Sequence, residues 1–172
     1  PLFISIGLWV GALMCYVVLY YDQKHRFGRL DSSAKNKIMQ NLLYIGIGIA
    51  DGIFTGLILK LGLGFDVSNT AVYLLECGVV GAVFMTIIQF LIRNFGDIGK
   101  FLALIVLVLQ LAAAGGTFPV ETIDKGFRFL NPLLPMTYTI NLLRESLVTI
   151  EKSLLTKNIL VVVAIMIVFM TI

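Results

Sequence analysis

Residues 38–65 of this 172-residue chain read IMQNLLYIGIGIADGIFTGLILKLGLGF, an almost unbroken apolar run. A helix needs roughly 20 mostly apolar residues to cross a hydrocarbon core about 30 Å thick. A strand of a membrane barrel would instead alternate apolar and polar residues over about 10 positions. The run therefore predicts a membrane-spanning helix.

Four other stretches repeat this pattern, at residues 2–21, 71–92, 101–115 and 159–172. The whole chain is 59% hydrophobic and 13% charged, whereas soluble domains are about 45–50% apolar and about 25% charged. Composition and run length together favour an all-α, polytopic membrane protein with five spans in one transmembrane domain, residues 1–172. Because both ends of the sequence are apolar, we expect this domain to be part of a longer protein.

The loop at residues 22–37 sets the expected orientation. It is rich in Lys and Arg, and short loops of this kind face the cytoplasm. The N-terminal end of the first span is then extracellular, and so is the segment at residues 116–158. Over the whole chain, Lys and Arg are divided almost evenly between the two sides, so the prediction depends on this one loop.

The glycines of the second apolar run have a helical spacing. Gly48, Gly52 and Gly56 recur every four residues, and small residues at that interval let two membrane helices approach closely. Gly7 and Gly11 repeat the interval in the first run, so we expect the two runs to pack together. The alternative is that glycine is simply common in membrane helices.

Asp51 lies near the middle of the second run. A charge at that depth costs roughly 2.5–3.5 kcal/mol on insertion scales, and such residues usually face the bundle interior and mark a route for a substrate, an ion or a proton. Two structural alternatives remain open. Asp51 could be protonated and held by neighbouring backbone, or it could be bonded across helices by Gln89 or Gln110.

Lys60 and Glu76 lie slightly inside the outer ends of the second and third runs. At 1.5 Å per residue their depths are similar. We expect a Lys60–Glu76 ion pair between adjacent helices, in preference to a transport role for either residue.

No pattern in the chain predicts catalysis. His25 is the only histidine and lies among basic residues of a loop, while Cys15 and Cys77 lie inside apolar runs, where packing is the simpler role. The sequence GDIGK at residues 96–100 is too short for a phosphate-binding loop, and ligand clusters for a metal are absent. We expect no enzymatic activity, no cofactor and no nucleic-acid partner, with the lipid bilayer as the surroundings.

Residues 116–158 are too long for a turn and too amphipathic for a linker. Pro135 suits the first turn of a helix, and apolar residues recur on one side of the segment that follows. This helix either lies in the membrane interface or enters the membrane as a re-entrant hairpin shielded by protein. The residues that define the predicted hairpin are Gly115, Gly116, Pro119, Glu121, Pro132, Pro135, Tyr138 and Arg144.

The sequences LQLAAAGGTFPVE at residues 109–121 and NPLLPMTYTINLLRE at residues 131–145 carry a resemblance. Together with the opening PLFISIGLWVGAL, they resemble the C-terminal membrane domain of the YhgE/Pip family, the phage infection protein group. That family is related to the permease subunits of ABC-2-type exporters and is similar to type VII secretion accessory proteins that double as phage receptors.

The resemblance implies a multi-pass protein in the plasma membrane of Gram-positive bacteria, with a large extracellular domain upstream of these five spans. It implies extracellular re-entrant helices within residues 116–158, and it places residues 22–37 where exporter permeases carry a coupling helix. That loop lacks an apolar face for docking on an ATPase, and the family offers no catalytic residues to transfer.

The expected function is therefore a membrane anchor and assembly domain of a cell-surface phage receptor. We expect a homodimer formed through the glycine-rich helices, contact with a phage protein through the missing ectodomain, and association with secretion subunits. The alternative is a permease subunit of an ABC-2-type exporter that works with a separate ATPase.

Overall fold

The computed structural model describes most of the chain as helix. Its described backbone covers residues 1–26, 34–64, 67, 69–113, 129–148 and 152–171, and its described side chains cover residues 1–21, 39–62, 64, 67, 69–113, 129–144 and 158–170. Within these residues there is no strand, and the all-α class is confirmed.

The described residues form six α-helices: α1 (Leu2–Arg26), α2 (Ala34–Leu63), α3 (Thr70–Phe95), α4 (Asp97–Ala113), α5 (Pro135–Val148) and α6 (Lys152–Thr171). A short 3-10 turn, Asn131–Leu133, precedes α5. In the part of the chain that the structure describes, three stretches are long and apolar enough to cross a membrane: Leu2–Tyr21, Met39–Gly62 and Thr70–Phe95. A shorter apolar stretch, Asn158–Met170, lies in α6, and the count of five spans stays a prediction.

Helix α3 is the centre of the bundle and packs against α1, α2, α4, α5 and α6. The structure buries 72% of its apolar window, compared with 44% for α1 and 22% for α2. α2 therefore uses one narrow face for its contact with α3 and leaves the remainder of its apolar surface outward. In a bilayer, that outward surface would face lipid or another protein.

The junction between α3 and α4 is tighter than the sequence suggested. We expected a connector at residues 93–100, but α3 runs to Phe95, α4 begins at Asp97, and only Gly96 separates them. Gly96 has a φ of 57°, and its N–H donates to the carbonyl of Ile92 at 2.8 Å. This backbone conformation favours glycine. A side chain at Gly99 would collide with the backbone of Leu91, so the corner needs both glycines.

Three aromatic contacts join neighbouring helices. Trp9 of α1 meets Phe84 of α3 edge to face with ring centroids 5.0 Å apart. Tyr16 of α1 lies 4.8 Å from Tyr44 of α2, and on the far side of the bundle Phe90 of α3 meets Phe169 of α6 at 5.1 Å. Pairs at such distances add roughly 0.5–1.5 kcal/mol each beyond their burial.

Candidate functional site

The glycines of α2 face α3. A Cβ built on Gly52 would overlap the carbonyl oxygen of Cys77, and a Cβ on Gly48 would lie 2.8 Å from the carbonyl oxygen of Gly81. At Gly56 it would lie 2.8 Å from the sulfur of Cys77. Backbone therefore packs on backbone at Gly48 and Gly52, and the backbone of Gly56 packs on the Cys77 side chain, as small residues allow in membrane helices.

The α3 side of this contact also depends on glycine. A Cβ on Gly81 would overlap the carbonyl oxygen of Gly48 and lie 3.0 Å from the Cα of Gly52. Gly81 and its neighbour Gly78 were not among the predicted packing residues. The signal was present, because Gly78 and Gly81 stand three positions apart in a predicted span, which puts both on one side of a helix.

The expected packing of the first and second apolar runs is confirmed, because α1 contacts α2, but the glycine row of α2 has a different partner. Residues Gly48, Gly52 and Gly56 contact α3 rather than Gly7 and Gly11 of α1. Because α3 already covers the row within one chain, the row is closed to a second copy. A dimer of this chain would need a different surface.

Gly11 instead makes room for Asp51. A Cβ built on Gly11 would lie 2.9 Å and 3.0 Å from the two carboxylate oxygens of Asp51. The thiol of Cys15, one turn along α1, donates to Oδ1 of Asp51 at 4.0 Å. Oδ2 is buried and has no hydrogen-bond partner within the described residues. The carboxyl thus lies in a notch between α1 and α2, and the glycine in α1 is what opens that notch.

Neither of the two glutamines considered as partners bonds to Asp51. The amide of Gln89 donates to Oδ1 of Asn41 at 2.7 Å, and Arg93 donates to the same oxygen at 3.0 Å. Gln110 of α4 is fully buried, and its amide atoms have no hydrogen-bond partner within the described part of the chain.

Two polar atoms of α1 are, like the amide of Gln110, buried without a hydrogen-bond partner among the described residues. They are the hydroxyl of Ser5 and the indole N–H of Trp9. Ser5 and Trp9 lie one turn apart on the same side of α1, and α1 contacts α4. Neither residue could be singled out from the sequence, because the burial of a hydroxyl or an indole N–H without a partner depends on how the helices pack.

The contact described for Lys60 differs from the expected one. Its ammonium donates to the hydroxyl of Thr70, at the start of α3, and the expected ion pair with Glu76 stays a prediction. Glu76 lies on α3 with 1% of its surface exposed. Nearby, the Tyr73 hydroxyl donates to the carbonyl of Gly56 at 3.3 Å. Polar contacts at this end of the bundle thus reinforce the α2–α3 pair.

The second half of the predicted hairpin is held by side-chain contacts to backbone. Asn131 donates through its amide to the carbonyl of Ala113 at 2.6 Å, which ties the turn to the end of α4. The Tyr138 hydroxyl donates to the carbonyl of Pro132 at 2.9 Å. Pro135 is the first residue of α5, as expected. Gly115, Gly116, Pro119 and Glu121 lie outside the described residues.

Helix α5 packs against the bundle. Met136, Ile140 and Leu143 of the predicted apolar side are buried, and so are Thr139 and Leu142. α5 contacts α1, α3, α4 and α6, and Arg144 is exposed. Of the two placements considered, a docked helix fits these contacts better than one lying alone in the interface, while entry into the membrane stays a prediction.

The described residues offer a scaffold with one polar notch and few reactive groups. No group of three or more His, Cys, Asp or Glu side chains could hold a metal within them. The chemistry available at the notch is that of a single carboxyl, able to exchange a proton or to attract a cation.

Comparison with known proteins gives two matches. Residues 2–172 match the family described as the EsaA helical domain. The chain is also 36% identical over 141 residues to the uncharacterized protein YhgE of Bacillus subtilis (strain 168), an alignment that covers 82% of this chain and 18% of that protein. The chain therefore spans less than a fifth of the length of that relative. No solved structure matches the chain.

Proposed function

The chain belongs to the EsaA helical domain family and to the YhgE/Pip group, and on this premise we propose that it is the membrane anchor and assembly domain of a cell-surface protein. The ectodomain upstream would make the outside contacts, with a phage or with secretion subunits. The helical domain would hold it in the plasma membrane and fix its orientation.

The observation that carries this proposal is the glycine contact between α2 and α3. Gly52 and Gly81 bring two backbones so close that neither position accepts even a methyl group without displacement. The helix on one side of this contact, α3, also packs against every other described α-helix. This close contact holds α2 and α3 together as one rigid unit, which suits a domain that supports an ectodomain.

The proposed topology places the N-terminal end of α1 outside, with five spans in all. Cysteine labelling of intact cells tests it, using single cysteines in place of Leu30 and Lys125 in the full-length protein. We expect an impermeant maleimide to label position 125 and to reach position 30 only after the cells are permeabilised. The opposite pattern would invert the topology and with it the roles of both loops.

Surface display tests the anchor role. The full-length protein is expressed with Gly52→Leu and, as a matched control on the same helix, Gly46→Leu, because nothing lies within 4 Å of a Cβ at Gly46. We expect Gly52→Leu to lower the amount of ectodomain at the cell surface severalfold and Gly46→Leu to leave it unchanged. Equal display of both variants would contradict a scaffold built on the α2–α3 contact.

A second candidate function follows from the notch at Asp51. A carboxyl held between two membrane helices, with one oxygen buried and without a partner among the described residues, is what a permease would use to bind a proton or a cation. The chain would then be the membrane subunit of an ABC-2-type exporter, with a separate ATPase supplying energy.

Asp51→Asn separates the two candidates. The variant keeps the side-chain shape and removes the charge, so a scaffold should assemble and display its ectodomain normally. Under the exporter alternative, a secreted product detected by mass spectrometry of the culture medium would disappear while surface display persisted. Co-purification of the wild-type protein from native membranes would show an ATPase in the second case and secretion subunits in the first.

We also propose that the protein is a homodimer. The dimer surface would lie outside the glycine row, which α3 covers. Cross-linking of the full-length protein in native membranes measures the copy number directly, and a monomer would contradict this part of the proposal alone.

A further inference from the structure

The core of the bundle contains three buried polar side chains that neither candidate function uses. They are Ser5 and Trp9 of α1 and Gln110 of α4, each with 0% of its surface exposed. The Ser5 hydroxyl, the Trp9 indole N–H and both amide atoms of Gln110 have no hydrogen-bond partner among the described residues. The other residues that α4 buries are glycine or alanine, so within residues 97–113 the amide of Gln110 is the one polar side-chain group placed in the core.

The contact between α1 and α4 places Gln110 at the depth of Trp9. α4 is antiparallel to α1, because α1 and α3 both run opposite to α2 and α4 turns back along α3. The ammonium of Lys100 lies 6.0 Å from the centre of the Tyr20 ring, and this contact aligns the two helices. Equal steps from it lead to Gln110 on α4 and to Val10, next to Trp9, on α1.

A second alignment, through α3, agrees with the first. Gly99 of α4 packs on the backbone of Leu91 of α3. Equal steps from that contact bring Gln110 to within about one turn of Phe84 on α3. The Phe84 ring meets the Trp9 ring with centroids 5.0 Å apart. Both alignments therefore place the amide of Gln110 and the indole of Trp9 in the same layer of the core.

Ser5 belongs to the same part of the interior. Ser5, Trp9 and Tyr20 fall within about 60° of one another around α1, so the Ser5 hydroxyl is on the side of α1 that carries the contact with α4. Helix α5 contacts α1, α3 and α4 and buries Met136 and Ile140 in doing so. The three polar groups thus lie in the interior between α1, α3 and α4, with α5 packed beside them.

The polarity of these groups defines the ligand that they suit. An indole N–H only donates a hydrogen bond, whereas an amide and a hydroxyl can each donate and accept. None of the three side chains is charged, so they suit a small neutral molecule that also donates and accepts. A water molecule accepts from Trp9 and donates to Oε1 of Gln110 and to the Ser5 hydroxyl. Internal waters typically make about three such bonds to buried polar groups.

We propose that Ser5, Trp9 and Gln110 bind an ordered water molecule that joins α1 to α4. A polar group without a partner is costly in a protein core and in hydrocarbon, and the bridge satisfies groups on both helices at once. Gln110 is the decisive residue because it is the ligand from α4. The proposal holds for an anchor and for an exporter alike.

Solid-state NMR of the full-length protein in phosphatidylglycerol vesicles tests the proposal. The tryptophans are isotopically labelled, and the Trp9 signal is assigned by its loss in Trp9→Phe. We expect magnetisation to pass to the Trp9 indole N–H from protons at the frequency of water. Transfer from a side-chain amide and not from water would show a direct bond between Trp9 and Gln110 and would overturn the proposal, as would the absence of both transfers.

Two controls identify the source of the water signal. A water-soluble paramagnetic chelate should leave the Trp9 signal intact, because the site is enclosed; loss of the signal would show that bulk solvent reaches Trp9 and would overturn an internal site. Ser5→Ala removes the hydroxyl proton that could be mistaken for water. Transfer should persist in this variant, since Trp9 and Gln110 still hold the molecule, and its complete loss would overturn the proposal.

A matched pair of substitutions tests the role of Gln110. Gln110→Met keeps the length of the side chain and removes both amide atoms, so transfer from water to Trp9 should fall about five- to tenfold, the equilibrium value of one hydrogen bond. Gln89→Met makes the same change at a buried glutamine that donates to Asn41 instead, and transfer should stay at the wild-type level. Undiminished transfer in Gln110→Met would overturn the proposal.

The outcome does not depend on the stability of the variants. A monodisperse size-exclusion profile identifies those that are folded. If Gln110→Met fails to fold, the wild-type protein still decides between water and the Gln110 amide as the source of the transfer to Trp9.

Discussion

The two faces of α2 make opposite kinds of contact. Against α3, Gly48 and Gly52 bring backbone onto backbone, where no side chain can move aside. Against α1, the carboxyl of Asp51 fills a space left by Gly11, and the contact is made by a side chain that can rotate. The first face fixes the position of α2 by steric fit alone, whereas the second holds a polar group whose surroundings can adjust.

The largest loss of stability should come from a substitution on the side of α2 that faces α3. Gly52→Leu places a branched side chain where even a Cβ would overlap the Cys77 carbonyl. Overpacking usually costs about 1–3 kcal/mol, and because backbone cannot yield here we expect a loss of about 3 kcal/mol in the free energy of unfolding. Thermal unfolding in detergent measures it. Gly46→Leu on the open side of α2 is the control, and equal melting temperatures for the two variants would remove the difference between the faces.

The reciprocal change on α3 sharpens the same comparison. Gly81→Ala should lower the free energy of unfolding by about 2 kcal/mol, since its methyl group meets the Gly48 carbonyl. Combined with Gly52→Ala, the loss should be smaller than the sum of the single losses, because the helices separate only once. Strict additivity in a double-mutant cycle would mean that the two glycines do not share one interface.

A substitution on the α1-facing side of the contact should destabilise the protein less, and a second substitution should restore the stability. Gly11→Ala brings a methyl group to about 3 Å from the Asp51 oxygens, and we expect a cost of about 1 kcal/mol because the carboxyl can rotate away. Adding Asp51→Ala empties the notch and should restore most of that loss. If the double variant is as unstable as Gly11→Ala alone, then the cost arises from α1 itself rather than from contact with Asp51.

The helical class, and the role of Gly48, Gly52 and Gly56 in close helix packing, could be predicted from the sequence. Continuous apolar runs and four-residue spacing are local properties, and α2 with Gly48, Gly52 and Gly56 followed from them directly. Pro135 at the start of α5 was predicted for the same reason, since proline acts on its own helical turn.

The partners of these residues could not be predicted from spacing. Gly7 and Gly11 have the same interval as the glycines of α2, and a four-residue repeat does not encode which helix lies opposite. The choice depends on how α1, α2 and α3 pack as a group, with Trp9 held against Phe84 and Lys60 bonded to Thr70. For the same reason, the depth of Lys60 along α2 did not reveal its hydrogen bond to Thr70.

The smallest loss of stability is expected from Asp51→Asn, and this variant tests what the notch is for. The amide has the shape of the carboxyl and can still accept from Cys15, so packing against Gly11 should not change. If Asp51 is charged at this depth, removing the charge relieves a cost of roughly 2.5–3.5 kcal/mol on insertion scales, and if it is neutral nothing is lost. We therefore expect the melting temperature to stay the same or to rise.

Asp51→Leu serves as the control for shape in this last experiment, because it removes the charge and also replaces the flat carboxyl by a bulkier group with two methyls against Gly11. It should destabilise the bundle by about 1–2 kcal/mol while Asp51→Asn does not. A clear loss in Asp51→Asn would mean that the negative charge itself holds α1 to α2. The α1-facing side would then be an ionic contact with a cationic partner, and the adjustable polar notch inferred from Gly11 would no longer describe it.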